Sequence, residues 1–288
     1  MPKNLRKEIA NAKTLMETAD AVLVVTGAGM SVDSGIPTYR GTNGLWAKSI
    51  DIGDKSYGYD EISSLEMWKT NPELAWGFKA HFRKLSGEQE PHEGYYDLLD
   101  NVSKKSDYFV CTSNVDGYFR RVGFDPTKVY EVHGTIDYLQ CMDINCNKTH
   151  GVVETTDLLV PEYDSETFLA NSLPKCLHCG KMLRPNISVF GDVEFYGKPY
   201  EHQRRRLNDW LANLKKYGKS LVILEIGCGI NPHSLRMSNG KMMSGEWKMP
   251  VFDNNVGTIR INPTDEQNDE KTIHIAMGAK NGIRAIFG

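Results

Sequence analysis

VLVVTGAGMSVDSGIPTYRGTNGLW, Val22 to Trp46, is the stretch from which the fold follows. Its apolar run, Val22 to Val25, predicts a buried parallel strand. The run passes directly into Thr26-Gly27-Ala28-Gly29, where small residues let backbone amides approach a phosphate. Ser31 and Ser34 can then open a short helix, whose free N–H groups and positive dipole end favour an anion. Gly35, Pro37 and Gly41 punctuate the loop that follows, which carries Tyr39 and Arg40. A glycine turn after a strand is a modest signal alone, since many such turns bind nothing.

Working outward, the 288 residues can bury a full core, with room for one large domain and a smaller one. A formal net charge of -3 leaves no global basic field for nucleic acid or an anionic membrane surface. No apolar run approaches the ~18 residues of a membrane span. Met1 to Ala10 is charged and amphipathic and lacks a signal-peptide core, which points to the cytosol. There, six cysteines read as thiols or metal ligands rather than disulfides.

Helices and strands alternate along the chain. Leu5, Ile9, Ala12, Met16 and Ala19 step by three and four, giving one apolar helical face before the first strand. From Lys48 to Glu90 the polar, Tyr- and Trp-containing sequence predicts helices and no strand. Asn71 reads as an N-cap with Pro72 at the first helical position, and Leu74, Phe78, Phe82 and Leu85 form a core stripe. His92 to Ser103 reads as a helix and Tyr108 to Cys111 as a second buried strand.

Thr112-Ser113-Asn114-Val115-Asp116-Gly117 follows that strand. Polar groups at the carboxyl end of a parallel strand face the ligand crevice of an open α/β sheet, so Asn114 and Asp116 can meet a sugar or an amide; a turn with an Asp cap is the plainer reading. Val129 to Val132 is a third strand, ending at His133-Gly134. His133 is either a packed or surface histidine or a proton acceptor suited to neutral pH.

Cys141/Cys146 and Cys176/Cys179 are two pairs of knuckle spacing in a polar insertion. Four thiolates so arranged close tetrahedrally on zinc and leave no open position, so the site would be structural; free thiols or a redox pair are the rival readings. His150 and His178 are rival ligands, with His178 expected to face solvent. Cys111 and Cys228 read as core residues. Arg204, Arg205 and Arg206 point around the helix Tyr200 to Lys216 and read as a solvated face. Leu221 to Ile226, Thr258 to Ile261 and Thr272 to Ile275 read as strands, Met237 to Met249 as a long loop, and Ile283 to Phe287 as the stretch that closes the sheet.

The string GAG, serine, SGIP, aromatic-Arg and GLW resembles the NAD-binding loop of the sirtuin family of protein lysine deacylases. The resemblance runs from about Val22 to Asn262 with its motifs in family order. It implies NAD contacts from Gly27, Ala28, Gly29, Ser31, Tyr39 and Arg40. It implies further contacts from Ser113, Asn114 and Asp116, which stand at the family's TQNxD motif, Ser113 replacing Gln. Asn114 would act on the nicotinamide ribose, Asp116 on the carboxamide, and His133 as general base. Leu183 to Asp192 is similar to the RPxxVxFGE loop, implying substrate-backbone contacts from Val189, Phe190 and Gly191. Gly227, Cys228 and Gly229 stand at the GTS turn, two hydroxyl donors poorer, with Asn231-Pro232 after it; Asn262 matches the IN ribose and adenine contact. The helical segment after Lys48 would help form the acyl-lysine pocket. It carries Lys79, His81 and Arg83 but not the Tyr-x-x-Arg pair of relatives that prefer acidic acyl groups.

The expected fold is therefore a Rossmann-like, doubly wound, mostly parallel α/β sheet from residues 1–47, 87–134 and 188–288. Two insertions, 48–86 and 135–187, would form a small helical and zinc-binding domain. The implied activity is transfer of an acyl group from a protein lysine to NAD, releasing nicotinamide and O-acyl-ADP-ribose, with one structural zinc ion. ADP-ribosyl transfer or NAD hydrolysis is the first rival, distinguished by NAD consumption without an acyl-peptide. A catalytically idle NAD-binding module is the second, distinguished by binding without turnover.

Overall fold

The computed structural model describes residues 2–38, 49–52, 54–105, 107–229, 235, 237–238, 241–242, 256–264 and 272–288. Tyr39, Arg40, the GLW turn and Asn231-Pro232 lie outside the described residues.

Six parallel strands form the main sheet, in the order Thr272–Ile275, Val256–Ile261, Leu221–Ile226, Ala21–Thr26, Asp107–Thr112 and Val129–Glu131. Every residue of Ala21–Thr26 and of Leu221–Ile226 is buried, which is why these segments read as unbroken apolar runs. On one face, Val22, Val24, Val222, Leu224 and Ile259 pack against Ile9 and Met16 of Lys3–Thr18, Leu98 of Glu93–Val102, and Ile283 of Ala279–Phe287. On the other, Leu23, Val25, Phe109 and Ile223 meet Leu207, Leu211 and Leu214 of Lys198–Lys216. Each such apolar side chain contributes ~1.5–3 kcal/mol by leaving water. From the central strand Ala21–Thr26 the chain winds first to one side and later to the other. The reversal lies between Thr26 and Ile226, and a crevice opens at the carboxyl ends of those strands.

Three expectations need correction. The final stretch is not a strand but the helix Ala279–Phe287: Ala279, Ile283 and Ile286 share its buried face, and Asp33 Oδ2 accepts the Lys280 amide at 2.8 Å in its first turn. The segment after Lys48 does contain strands, an antiparallel hairpin of Ile50–Ile52 and Lys55–Tyr57 in which Ile50, Ile52 and Tyr57 pack on the neighbouring apolar cluster. Within the expected loop Met237 to Met249, Met237–Ser238 and Lys241–Met242 pair antiparallel.

The sequence also hid a strand. Gly134–Cys141 leaves the main sheet directly after His133 and pairs antiparallel with Leu183–Ile187 and Val153–Glu154. Its Leu139 and Cys141 share one apolar cluster with Trp68, Leu74, Trp76 and Phe78 from Leu65–Thr70 and Pro72–Glu88, and Trp76 Nε1 donates to Leu183 O at 2.8 Å. Asn71 caps the helix Pro72–Glu88 as expected, accepting from the Leu74 amide. The extra length between the cysteine pairs is used here: a Cβ on Gly77 would stand 1.8 Å from Phe168 O, and Ala170 N donates to Glu73 O at 3.0 Å. The long loop is thus seated on the helix where a side chain is missing.

Candidate NAD and zinc sites

Ala28–Met30 and Val32–Ser34 are two short 3-10 turns rather than one helix, joined at Ser31. The glycines are required by approach rather than by flexibility. A Cβ on Gly29 would lie 2.6 Å from the Gly227 Cα, and Gly29 N donates to Gly227 O at 3.0 Å, so the two turns meet backbone to backbone across the sheet reversal. Gly227 N in turn donates to Ile261 O, and Asn262 Nδ2 to Cys228 O at 3.1 Å. Gly27, Ala28, Gly29, Gly227, Cys228 and Asn262 therefore converge on one end of the sheet. Cys228 is buried, its thiol donating to Val25 O at 3.7 Å.

Ser31 is the centre of a buried polar node. Its hydroxyl donates to Asp116 Oδ2 at 2.6 Å and accepts from Asn114 Nδ2 at 2.9 Å, with Tyr95 OH 3.0 Å away. Asp116 also accepts from the Tyr118 amide at 3.1 Å. Burial raises the Asp116 carboxyl above the usual range, against the pull of the Ser31 and Tyr118 donors. Ala28, Ser31, Ile36, Phe82, Asn114 and Asp116 line the crevice. Within it Asn114 Oδ1 is the one buried side-chain oxygen without a partner among the described residues. An unmet acceptor in a crevice lined by Ala28 and Ser31 of the glycine loop suits a ligand that brings hydroxyl or amide donors, as the ribose and carboxamide of NAD do. Ser113 turns away: its hydroxyl reaches Thr26 O at 3.3 Å.

His133 is half-buried at the end of the next strand, and its carbonyl accepts from Ser188 N at 2.9 Å. That bond brings it beside the loop carrying Val189, Phe190 and Gly191. The loop is built on a buried ion pair, Arg184 Nη2 lying 2.9 Å from each oxygen of Asp192. The main chain of Phe190 is already engaged, its N–H by Ser63 O and its C=O by the Leu65 amide. A substrate strand would pair through other groups of the loop; the partly exposed Phe190 stands with its ring edge-on to Tyr59 at 6.3 Å.

Sequence reasoning missed two residues of this region. His92, assigned only to a helix, fixes the glycine loop: its Nε2 donates to Met30 O at 2.8 Å, its Nδ1 accepts from Gly94 N, and its own amide donates to Ser34 Oγ. Burial holds its pKa below the ordinary range, in keeping with that neutral tautomer. Tyr95, one turn on, reaches Ser31. The His-x-x-Tyr spacing, which sets both on one helix face, was the available signal.

The sulfurs of Cys141, Cys146, Cys176 and Cys179 all lie within 4.8 Å of one another, the Cys141–Cys179 and Cys146–Cys176 pairs at 3.4 and 3.7 Å. A tetrahedron with Zn–S of ~2.3 Å has edges of about 3.8 Å, so the set fits zinc. Burial pushes Cys141 up to about 12 and Cys146 up to about 11, and the neighbouring thiols add to both, a penalty that a divalent cation removes. At Cys176 burial is outweighed by the His178 and Cys179 amides, which lower its pKa. The buried Asn147 braces Cys141, accepting its N–H and donating to its C=O, both at 2.7 Å. His150 and His178 are exposed and stacked on each other at 3.8 Å, leaving the four thiols as the ligand set.

Comparison with known proteins bears on the family and the fold. Residues 27–207 match the model of the Sir2 family. The chain is 32% identical over 186 residues to an NAD-dependent protein deacylase of Aquifex aeolicus, covering 64% of this chain and 68% of that one. It is 34% identical over 186 residues to an NAD-dependent protein deacylase of Thermococcus kodakarensis, covering 64% and 65%. A Sir2 enzyme structure superposes with a TM-score of 0.67 at 23% identity over 98% of this chain and 96% of that one, which speaks for the fold. A Sir2 homologue solved with NAD does so at 0.66 and 22% over 96% and 93%. Glycine turns meeting at the sheet reversal, the Ser31–Asn114–Asp116 node and a four-cysteine knuckle all lie within or beside the matched span, and the chain belongs to the Sir2 family.

Proposed function

We propose that this protein is an NAD-dependent protein lysine deacylase. The observation that carries the reading is Asn114 Oδ1, a buried acceptor left open beside Ser31 and Asp116 in the crevice at the carboxyl end of the sheet. NAD supplies an activated ribose whose nicotinamide departs, giving the acyl oxygen of a modified lysine a carbon to attack. In this reading Gly27, Ala28, Gly29, Gly227 and Cys228 offer backbone to the dinucleotide, with Asn262 at its edge; Tyr39 and Arg40 are added on the strength of the family motif alone, and Ser113, turned towards Thr26 O, stands outside the contact. Asn114 orients the ribose and Asp116 the carboxamide. His133 takes the proton of a ribose hydroxyl, which a neutral imidazole can do near pH 7. Val189, Phe190 and Gly191 meet the substrate peptide. The four cysteines hold one structural zinc ion, remote from these steps.

We assign residues 48–86 and 135–187 to a small unit apart from the sheet, on the strength of the apolar cluster they share. None of the six cysteines is joined in a disulfide, which supports a cytosolic location. The test is mass spectrometry of an acyl-lysine peptide panel with and without NAD, alongside nicotinamide release. NAD-dependent loss of the acyl group is expected. Nicotinamide release without it would move the assignment to ADP-ribosyl transfer or NAD hydrolysis, and silence in both to a binding module.

A further inference from the structure

Tyr95 is fully buried in the helix Glu93–Val102, its ring edge-on to Tyr118 and Phe119 at 5.8 and 5.1 Å. Packing explains the ring but not the hydroxyl, which reaches Ser31 Oγ at 3.0 Å. A serine hydroxyl has one proton and two lone pairs. At Ser31 one lone pair accepts Asn114 Nδ2, and the proton lies on the 2.6 Å bond to Asp116 Oδ2, so Tyr95 must be the donor to the other lone pair. Burial, and next the charge of Asp116, keep the Tyr95 proton in place, so the tyrosine retains the proton that it donates to Ser31. Ser31 is then saturated, and its proton has a single direction.

We propose that Tyr95 is a positioning residue for nicotinamide: by filling the last lone pair of Ser31 it directs the serine proton onto Asp116 and holds that carboxylate as the acceptor for a carboxamide. The proposal rests on the assignment of this crevice to NAD. Without the Tyr95 hydroxyl, Ser31 Oγ has a free lone pair, its hydroxyl can rotate, and Asp116 loses a reliable donor at 2.6 Å. The groups that face Asp116 are Ser31, the Tyr118 amide, Tyr95, the Asp137 carboxylate, which raises its pKa, and the Arg121 guanidinium, which lowers it. Weakening the Ser31 donor therefore shifts Asp116 towards its protonated form, and the loss shows as pH falls.

The experiment is calorimetric titration of nicotinamide into protein saturated with ADP-ribose, from about pH 5 to pH 8, for wild type, Tyr95→Phe, Ser31→Ala and the double variant. Tyr95→Phe is expected to weaken nicotinamide about fivefold and to move the acid limb of the binding profile to higher pH. ADP-ribose affinity and Tm should stay at wild-type values. Ser31→Ala should move the limb the same way, and adding Tyr95→Phe to it should change nothing more. An unmoved acid limb in either single variant overturns the proposal. So does an equal loss of ADP-ribose and nicotinamide affinity at every pH, which is what a packing defect gives. If Tyr95→Phe does not fold, Ser31→Ala alone decides by the same limb. Failure of the wild-type protein to bind ADP-ribose would instead sink the NAD assignment, a result distinct from all of these.

Discussion

The crevice and the cysteine knuckles treat buried polar atoms in opposite ways. In the crevice Ser31, Asp116 and Asn114 satisfy one another and still leave Asn114 Oδ1 open, so the site is incomplete until something else enters. In the knuckles four sulfurs face one another and backbone amides such as that of Asp143, Asn147 closes both main-chain groups of Cys141, and the Lys181–Asp143 pair at 2.8 Å caps the rim. An open valence marks where chemistry enters; a closed one marks a clamp. Both regions were reachable from short motifs, yet only the geometry separates their roles.

The sharpest way to break the comparison is to open the clamp. Cys176→Ala should remove about one zinc per chain by elemental analysis and lower Tm by ~10 °C or more, because metal binding free energy is folding free energy at such sites. A metal-free protein that stays folded would defeat the structural role. Next comes the open site. His133→Ala should cut deacylation roughly a hundredfold or more while NAD affinity and zinc content persist; deacylation at the wild-type rate removes His133 from the mechanism.

Smaller effects fall on the seam between the two regions. Gly77→Ala forces a Cβ to within 1.8 Å of Phe168 O and should cost ~1–3 kcal/mol despite the gain in helix propensity, read as a lower Tm with zinc retained. An unchanged Tm would mean that the long loop is not seated on that helix. Lys79 is the subtlest case. It is 5% exposed, its Nζ donates to Ser63 Oγ at 2.5 Å, and burial, then the Arg184 charge, bring its pKa down to about 7. The native amine releases its proton near pH 7 and the unfolded one near 10.5, so between those values the unfolded state binds more protons and stability rises with pH. Lys79→Met should therefore raise Tm by ~2–4 °C at neutral pH, an advantage that shrinks towards pH 10.5. A constant difference across that window would refute the burial cost.

Legibility followed locality. The strands Ala21–Thr26 and Leu221–Ile226 were visible because burial on both faces demands continuous apolar runs, and the zinc ligands because two knuckles each lie within a few residues. Asn114 and Asp116 could be placed by their position at the end of a strand. Ile283 to Phe287 misled because a short apolar run fits a strand as well as a helix until Ala279 is included. Gly134–Cys141 owes its pairing to Leu183–Ile187, distant in sequence, whereas the hairpin of Ile50–Ile52 and Lys55–Tyr57 is local and was hidden because each strand is only three residues long. The His92-x-x-Tyr95 spacing marked a shared helix face, but the partner that gives Tyr95 its role, Ser31, is distant in sequence.

The contact of Gly29 with Gly227 has a consequence for biosynthesis. Its partners are far apart in the chain, and the strand that ends just before Gly227 pairs with Ala21–Thr26 along its whole length. A chain emerging from the ribosome can form the cysteine knuckles from residues already made, but it cannot build the dinucleotide crevice until Leu221–Ile226 has docked. The nascent protein is thus clamped before it is competent, and a chain interrupted before Gly227 cannot sequester NAD.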